Sequence, residues 1–219
     1  MDNGFPYTAD EVDSLIETAP EIDEGQAYAD VYDIEGSWVL KVQDTPYAVS
    51  GQVFDNMDAL ASYDIPFPET CATDEIELPG DKYPVYILQK EADAVFADAV
   101  ENGGAERFLD EIVEMIDYAA RRSVVLTDNK PQNYGVFDGR VKRLDIADDE
   151  LFQEYPAPGD RAGFVEEQFQ ERLVSAYRGI VRGAIEELDV PADRIEQRVA
   201  GSADFLNEDF DLDYAMLAR

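Results

Sequence analysis

Residues 124–150 read VVLTDNKPQNYGVFDGRVKRLDIADDE, which sets Asp128, Lys130, Asn133 and Asp145 in one short span among apolar runs. The arms at 123–127 and 139–146 have the apolar content of short strands, and Asp128 and Asp145 fall where each apolar pattern stops. Pairing of the two arms would bring both carboxylates to one rim, with Asn133 on the loop between them. Two carboxylates and an amide oxygen are hard donors of the kind Mg²⁺ takes while keeping waters and substrate phosphates in its shell. That combination suggests phosphoryl transfer. Its plain alternative is a surface hairpin turned at Asp138-Gly139 in a chain where aspartate is common everywhere.

The span resembles the catalytic loop and metal-binding segment of the protein-kinase-like superfamily, H-R-D-x-K-P-x-N followed by a hairpin and D-F-G. Leu126 to Asn133 stands for the loop, and Asp145, Ile146 and Ala147 stand for the metal segment. By that resemblance Asp128 orients, or takes the proton of, the attacking hydroxyl, and Lys130 neutralises charge on the transferring group. Asn133 holds a metal ion, and Asp145 bridges that metal to the nucleotide phosphates. Leu126 and Thr127 replace the family's His and Arg, and Ile146 and Ala147 replace its Phe and Gly. These departures touch regulation more than chemistry.

Upstream, residues 24–44 read EGQAYADVYDIEGSWVLKVQD, with turns near Gly25 and at Glu35-Gly36 and an alternating strand at 38–42. This resembles the superfamily's glycine-rich loop and the strand pair that follows. Trp38, Val39, Leu40 and Lys41 stand where V-A-I-K stands, which implies that Lys41 contacts the α- and β-phosphates of the nucleotide. The loop itself is poorly matched. Only Gly25 remains of its glycines, at a distance from Val31 that fits neither the first nor the second, and Ala29 occupies the third position. Lys41 on a solvent-facing edge strand is the alternative. Residues 47–63 contain no glutamate to pair with Lys41, and Asp55, Asp58 or Gln52 could take the facing position on a helix there. Leu88 to Glu91, centred on Gln89, resembles the hinge whose main chain meets the adenine edge.

The resemblance implies an α+β, two-lobed protein-kinase-like fold. A small sheet-containing nucleotide-binding lobe would span 1–89, and a reduced, mainly helical catalytic lobe would span 90–219. Periodicity and breakers place helices at 8–18, 49–63, 92–99, 106–122, 162–188 (broken near Gly179) and 191–199, with strands within 21–42 and at 83–89. Residues 151–160, with Pro156, Pro158 and Gly159, read as a shortened activation segment without the A-P-E signature.

Charge sets the surroundings. Asp and Glu number 50 against 17 Lys and Arg, a formal net charge of -33 with no histidine. Self-repulsion of that size destabilises a compact chain in dilute salt, and a Debye length of about 3 Å at 1 M removes most of it. The acids are scattered along the whole chain, which fits a cytoplasm near molar salt, as in a halophilic archaeon or a virus of such a host. A nucleic-acid mimic would confine its acids to one stripe. Direct nucleic-acid binding would need a basic face, and Arg121, Arg122, Lys130, Lys142 and Arg143 supply only a small local cluster. The single cysteine, Cys71, and the lack of histidine exclude an intrachain disulfide, His-based acid–base pairs and zinc centres of the usual kinds. No apolar run approaches 18 residues and no signal-like start is present, so the chain is expected to work inside a cell and off the membrane.

What the resemblance implies is transfer of the ATP γ-phosphate to a hydroxyl with Mg²⁺. By the resemblance the acceptor is a protein Ser/Thr, since Lys130 follows Asp128 by two as in the family's protein-directed members, or a small metabolite, since the family's peptide-positioning A-P-E region is missing. A pseudokinase serving as an interaction or regulatory module is the alternative, favoured by the degraded glycine loop and by Leu126-Thr127. An acidic structural or viral accessory protein with an accidental motif is the third reading.

Overall fold

The computed structural model describes residues 4–23, 29–44, 50–76, 84–95, 105–146 and 151–188. Gly25, Ala147 and the helix expected at 191–199 lie outside the described residues. The chain divides into two compact units. Met1–Ser62, Pro66–Ala92 and Leu144–Asp149 form one, and Tyr63–Ile65, Asp93–Arg143 and Glu150–Arg219 form the other.

The first unit is built on an antiparallel sheet of order β1-β2-β3-β5-β4: β1 (Glu21–Asp23), β2 (Asp30–Ile34), β3 (Trp38–Asp44), β4 (Thr70–Thr73) and β5 (Pro84–Lys90). Residues Val85 to Gln89 of β5 are all buried, as expected of an inner strand covered on both faces. The register pairs Leu40 with Leu88 and Val42 with Tyr86, so these side chains share one face. There Val12 of α1 (Ala9–Thr18) joins Ile34, Leu40, Val42, Ile76 and Tyr86 in a core, with Leu15 and Ile16 packed against it. The start of α1 is fixed by Glu11, whose carboxylate accepts from the Thr8 backbone N–H and hydroxyl, each at 2.8 Å. Pro20 follows its C-cap, Ala19, and cannot continue it. Helix α2 (Ser50–Ser62) buries Val53, Asn56 and Leu60 at helical spacing.

In the second unit α3 (Ala105–Ala120) buries a stripe of Phe108, Ile112, Met115, Ile116 and Ala119 at intervals of three and four. It leads through a tight turn into the fully buried β7 (Val124–Leu126). A three-stranded sheet, β6 (Ala94–Val95), β8 (Tyr134–Phe137) and β9 (Arg140–Arg143), stands beside a two-stranded ladder of β7 with β10 (Phe152–Glu154). The long α4 (Gly163–Leu188) ends the described chain.

Three expectations and one alternative are corrected. The arms at 123–127 and 139–146 do not pair with each other. Instead β9 folds back on β8 through Asp138 and Gly139, at φ 51° and 72°, the two left-handed residues a tight hairpin needs, and β7 pairs with β10. Residues 94 and 95 of the expected helix at 92–99 form a strand against β8. Helix α4 runs unbroken through Gly179. Lys41 is not on an edge, because β3 lies between β2 and β5.

Candidate functional site

In the second unit β7 carries the chain directly into the loop of Asp128. Thr127 donates its N–H to Leu151 O at 3.0 Å, beside the last rung of the β7–β10 ladder. Asp128 then adopts φ 43°, in the left-handed region that a non-glycine residue enters at a cost. Its carbonyl accepts from Lys130 N at 2.9 Å and from Asn133 Nδ2 at 2.7 Å. Its carboxylate accepts from Lys130 Nζ on Oδ1 at 2.8 Å and from Asn133 Nδ2 on Oδ2 at 2.9 Å. Three of the residues picked out in the sequence are thereby brought together by direct contact. Pro131 opens the single 3₁₀ turn Pro131–Asn133 that returns Asn133 to Asp128.

Beneath this loop lies a buried polar network. Asn129, 2% exposed, donates Nδ2 to Leu126 O at 2.9 Å and to Ala176 O of α4 at 3.4 Å. Its Oδ1 accepts from the Tyr134 hydroxyl and from Arg143 Nη1, the latter at 3.1 Å. Arg143, with no exposed surface, also donates Nη2 to Thr127 O at 2.9 Å. The guanidinium therefore fixes the chain on both sides of Asp128. Burial pushes the Tyr134 hydroxyl above its ordinary pKa against the opposing pull of Arg143, so it remains a donor. Arg143 is thus no member of a surface basic cluster. Helix α4 comes close enough that a Cβ at Gly179 would meet Asn129 O at 3.0 Å, and one at Gly183 would meet Pro131 Cδ at 2.3 Å. These glycines serve close approach, which explains why α4 is not broken at Gly179.

The first unit carries Lys41, Gln89 and Asp145. The register sets Lys41 opposite Ile87 and Val39 opposite Gln89, which puts Lys41 and Gln89 on the sheet face away from α1. There Lys41 Nζ and Gln89 Nε2 both donate to Leu144 O, at 3.1 and 3.0 Å. Asn56 of α2, fully buried, donates Nδ2 to Ile146 O at 2.9 Å and accepts from Gln52 Nε2 at 3.1 Å. The residue α2 presents to this segment is therefore Asn56. Gln52 backs it one turn earlier, while Asp55 and Asp58 are exposed and line a cavity with Phe5, Tyr7 and Ile76. At the expected hinge, the N–H groups of Lys90 and Glu91 go to Glu69 O and Ser37 O, each at 2.9 Å. Gln89 enters instead through its side chain.

Asn56, Asn129, Arg143 and the two α4 glycines were not legible as site residues. Asn56 carried one signal, a polar residue inside the apolar Val53–Leu60 stripe. Among the described residues no group of three His, Cys, Asp or Glu side chains is placed to hold a metal ion, and no helix is long and apolar enough to cross a membrane.

No protein-family model and no curated protein sequence matches the chain. Among solved structures 699 chains match, a breadth that by itself selects no activity. One is WaaP in complex with acyl carrier protein, with a TM-score of 0.56 and 9% sequence identity, over 96% of this chain and 88% of that one. Identity so low speaks for the fold alone. The chain has a mixed α/β architecture, with a sheet-containing region and a helical region, consistent with a kinase-like fold.

Proposed function

We propose that the chain is an ATP-dependent phosphotransferase that moves the γ-phosphate to a hydroxyl with Mg²⁺, with a protein Ser/Thr as the first acceptor class and a small hydroxyl-bearing metabolite as the second. The observation that carries this reading is the strained Asp128, whose carboxylate is oriented by Lys130 and Asn133. A carboxylate held in this way can orient an acceptor hydroxyl and take its proton as the bond to phosphorus forms. The exposed Lys130 keeps its ammonium beside that carboxylate and would neutralise charge growing on the transferring group. Lys41 supplies the cation for the nucleotide phosphates.

The donors present suit Mg²⁺. Asn133 turns Nδ2 towards Asp128, which leaves its Oδ1 as a hard donor, and Asp145 supplies a carboxylate. Each is an oxygen donor of the kind that Mg²⁺ prefers beside water and phosphate. When bound, the ion would neutralise charge on the nucleotide phosphates. In this reading 1–89 serves the nucleotide and 90–219 the transfer, apart from Asp145, whose segment packs with the first unit. The net charge of -33 favours a high-salt cell interior as the setting.

A second reading, an interaction module that keeps the fold without the chemistry, is favoured by Asn56 on α2 where an acidic partner for Lys41 is the family's habit. Transfer of labelled γ-phosphate to mixed protein and aminoalcohol acceptors in molar KCl separates the two. Phosphotransfer predicts that Asp128→Asn loses roughly 10²- to 10⁴-fold in rate with nucleotide affinity largely kept. Equal rates for wild type and variant would refute the assigned role, and nucleotide binding without transfer would favour the module.

A further inference from the structure

We infer that Asn56 and Gln89 are positioning residues for the cation at Asp145. With Lys41 they form a clamp of side-chain donors on the two carbonyls that flank it. The inference deepens the proposed function and rests on it. Asp145 sits between Leu144 and Ile146, and both neighbouring carbonyls are held. Leu144 O accepts from Lys41 Nζ at 3.1 Å on β3 and from Gln89 Nε2 at 3.0 Å on β5, and Ile146 O accepts from Asn56 Nδ2 at 2.9 Å on α2. Three elements of one unit thus fix the backbone of a single acidic residue.

Burial shows why these donors are amides. Asn56 is fully buried and Gln89 is 1% exposed, positions where an unpaired polar group costs more than its hydrogen bond returns elsewhere. Val53 and Leu60, the buried neighbours of Asn56 on α2, are apolar, and Gln89 Nε2 also lies 3.4 Å from Thr70 Oγ1. The amides are explained by the carbonyls they meet. A carboxylate at position 56 would accept and could not donate, and it would add negative charge beside the segment of Asp145. The neutral amide adds no such charge. Gln52, one turn before Asn56, completes the arrangement by donating to Asn56 Oδ1 at 3.1 Å. Ligand-supporting groups of this kind typically change metal affinity by about 10- to 100-fold when removed.

The test uses the full chain in molar KCl and two readouts. Amide hydrogen exchange at 144–146 without ligand reads the clamp itself, and Mg²⁺-dependent ATP binding reads its consequence. Asn56→Leu and Asn56→Asp are compared with wild type, with thermal unfolding confirming that each is folded. Exchange at 144–146 should rise by about tenfold or more in both, and the Mg²⁺ requirement for ATP binding should rise by about 10- to 100-fold. Asn56→Asp should also approach wild type as the pH falls, because its protonated carboxyl regains a donor, whereas Asn56→Leu should not. That pH-dependent rescue is not expected of a residue that only fills space. Unchanged exchange in folded Asn56→Leu, or an Asn56→Asp deficit that does not vary with pH, overturns the inference. Failure of folded wild type to bind Mg²⁺ and ATP overturns the phosphotransfer reading and the positioning role together, and the exchange result still decides whether the clamp exists.

Discussion

Replacing Gly183 by alanine tests whether α4 is the wall that holds the Asp128 loop. In an open helix interior the change would stabilise by about 1 kcal/mol, the difference in helix propensity. Here the new Cβ would sit 2.3 Å from Pro131 Cδ and 2.8 Å from Pro131 Cγ. Carbon atoms pack no closer than about 3.5 Å, so helix and loop must part by about 1.2 Å. The proline ring is rigid and carries the turn that brings Asn133 to Asp128, so it cannot fold away as a long side chain would. Overpacking of this kind costs about 1–3 kcal/mol, which leaves a net loss of up to about 2 kcal/mol. A loop displaced by about 1 Å can cost a catalytic site roughly 10²-fold, so the functional loss should exceed the loss of stability. Gly179→Ala is the graded control, because its Cβ meets Asn129 O at 3.0 Å and needs a shift of only a few tenths of an ångström. Urea unfolding and γ-phosphate transfer, both in molar KCl, give the two numbers for each variant. A Gly183→Ala chain that gains about 1 kcal/mol and keeps wild-type transfer would refute the close approach of α4 to Pro131.

Two further outcomes follow from the buried groups. Arg143→Lys keeps the charge but offers one nitrogen, which cannot serve Thr127 O and Asn129 Oδ1 as the guanidinium fork does. It should cost about 1.5–3 kcal/mol in denaturant unfolding, and a variant within about 0.5 kcal/mol of wild type would contradict the network. Tyr177, whose hydroxyl donates to Asp117, has its pKa pushed far up from the ordinary value of 10.0 by burial and by that carboxylate. The folded state keeps this proton where the unfolded state releases it, so the stability it lends is full below pH 10 and falls as pH rises beyond that. Tyr177→Phe should reduce the slope of the alkaline limb by up to about 1.4 kcal/mol per pH unit, and identical slopes would exclude Tyr177 as its source.

Much of the scaffold was legible because local pattern and tertiary demand agree. The apolar stripes of α1, α2 and α3 and the buried run of β5 fall within a residue or two of where periodicity puts them. Strand pairing was less legible. Val124 to Leu126 is apolar enough to pair with either neighbour, and the Asp138-Gly139 turn decides the matter by giving β9 to β8. That Asp128, Lys130 and Asn133 belong to one loop was visible in their spacing. Its support was not, because Arg143 looks like any surface arginine until the burial around it is known. A glycine in a helix likewise reads as a break until the loop packed against it is seen. The residue α2 turns inwards was missed for a related reason. Asp55 and Asp58 have the right chemistry but lie on the exposed side of α2, and the side that turns inwards carries Asn56.

The most direct measurement is calorimetric ATP binding in about 2–3 M KCl, chosen to screen the chain's self-repulsion, with and without Mg²⁺. The account predicts ATP binding that strengthens with Mg²⁺ in wild type and loses that dependence in Asp145→Asn. No binding by folded wild type, or an unchanged Mg²⁺ dependence in Asp145→Asn, would contradict it.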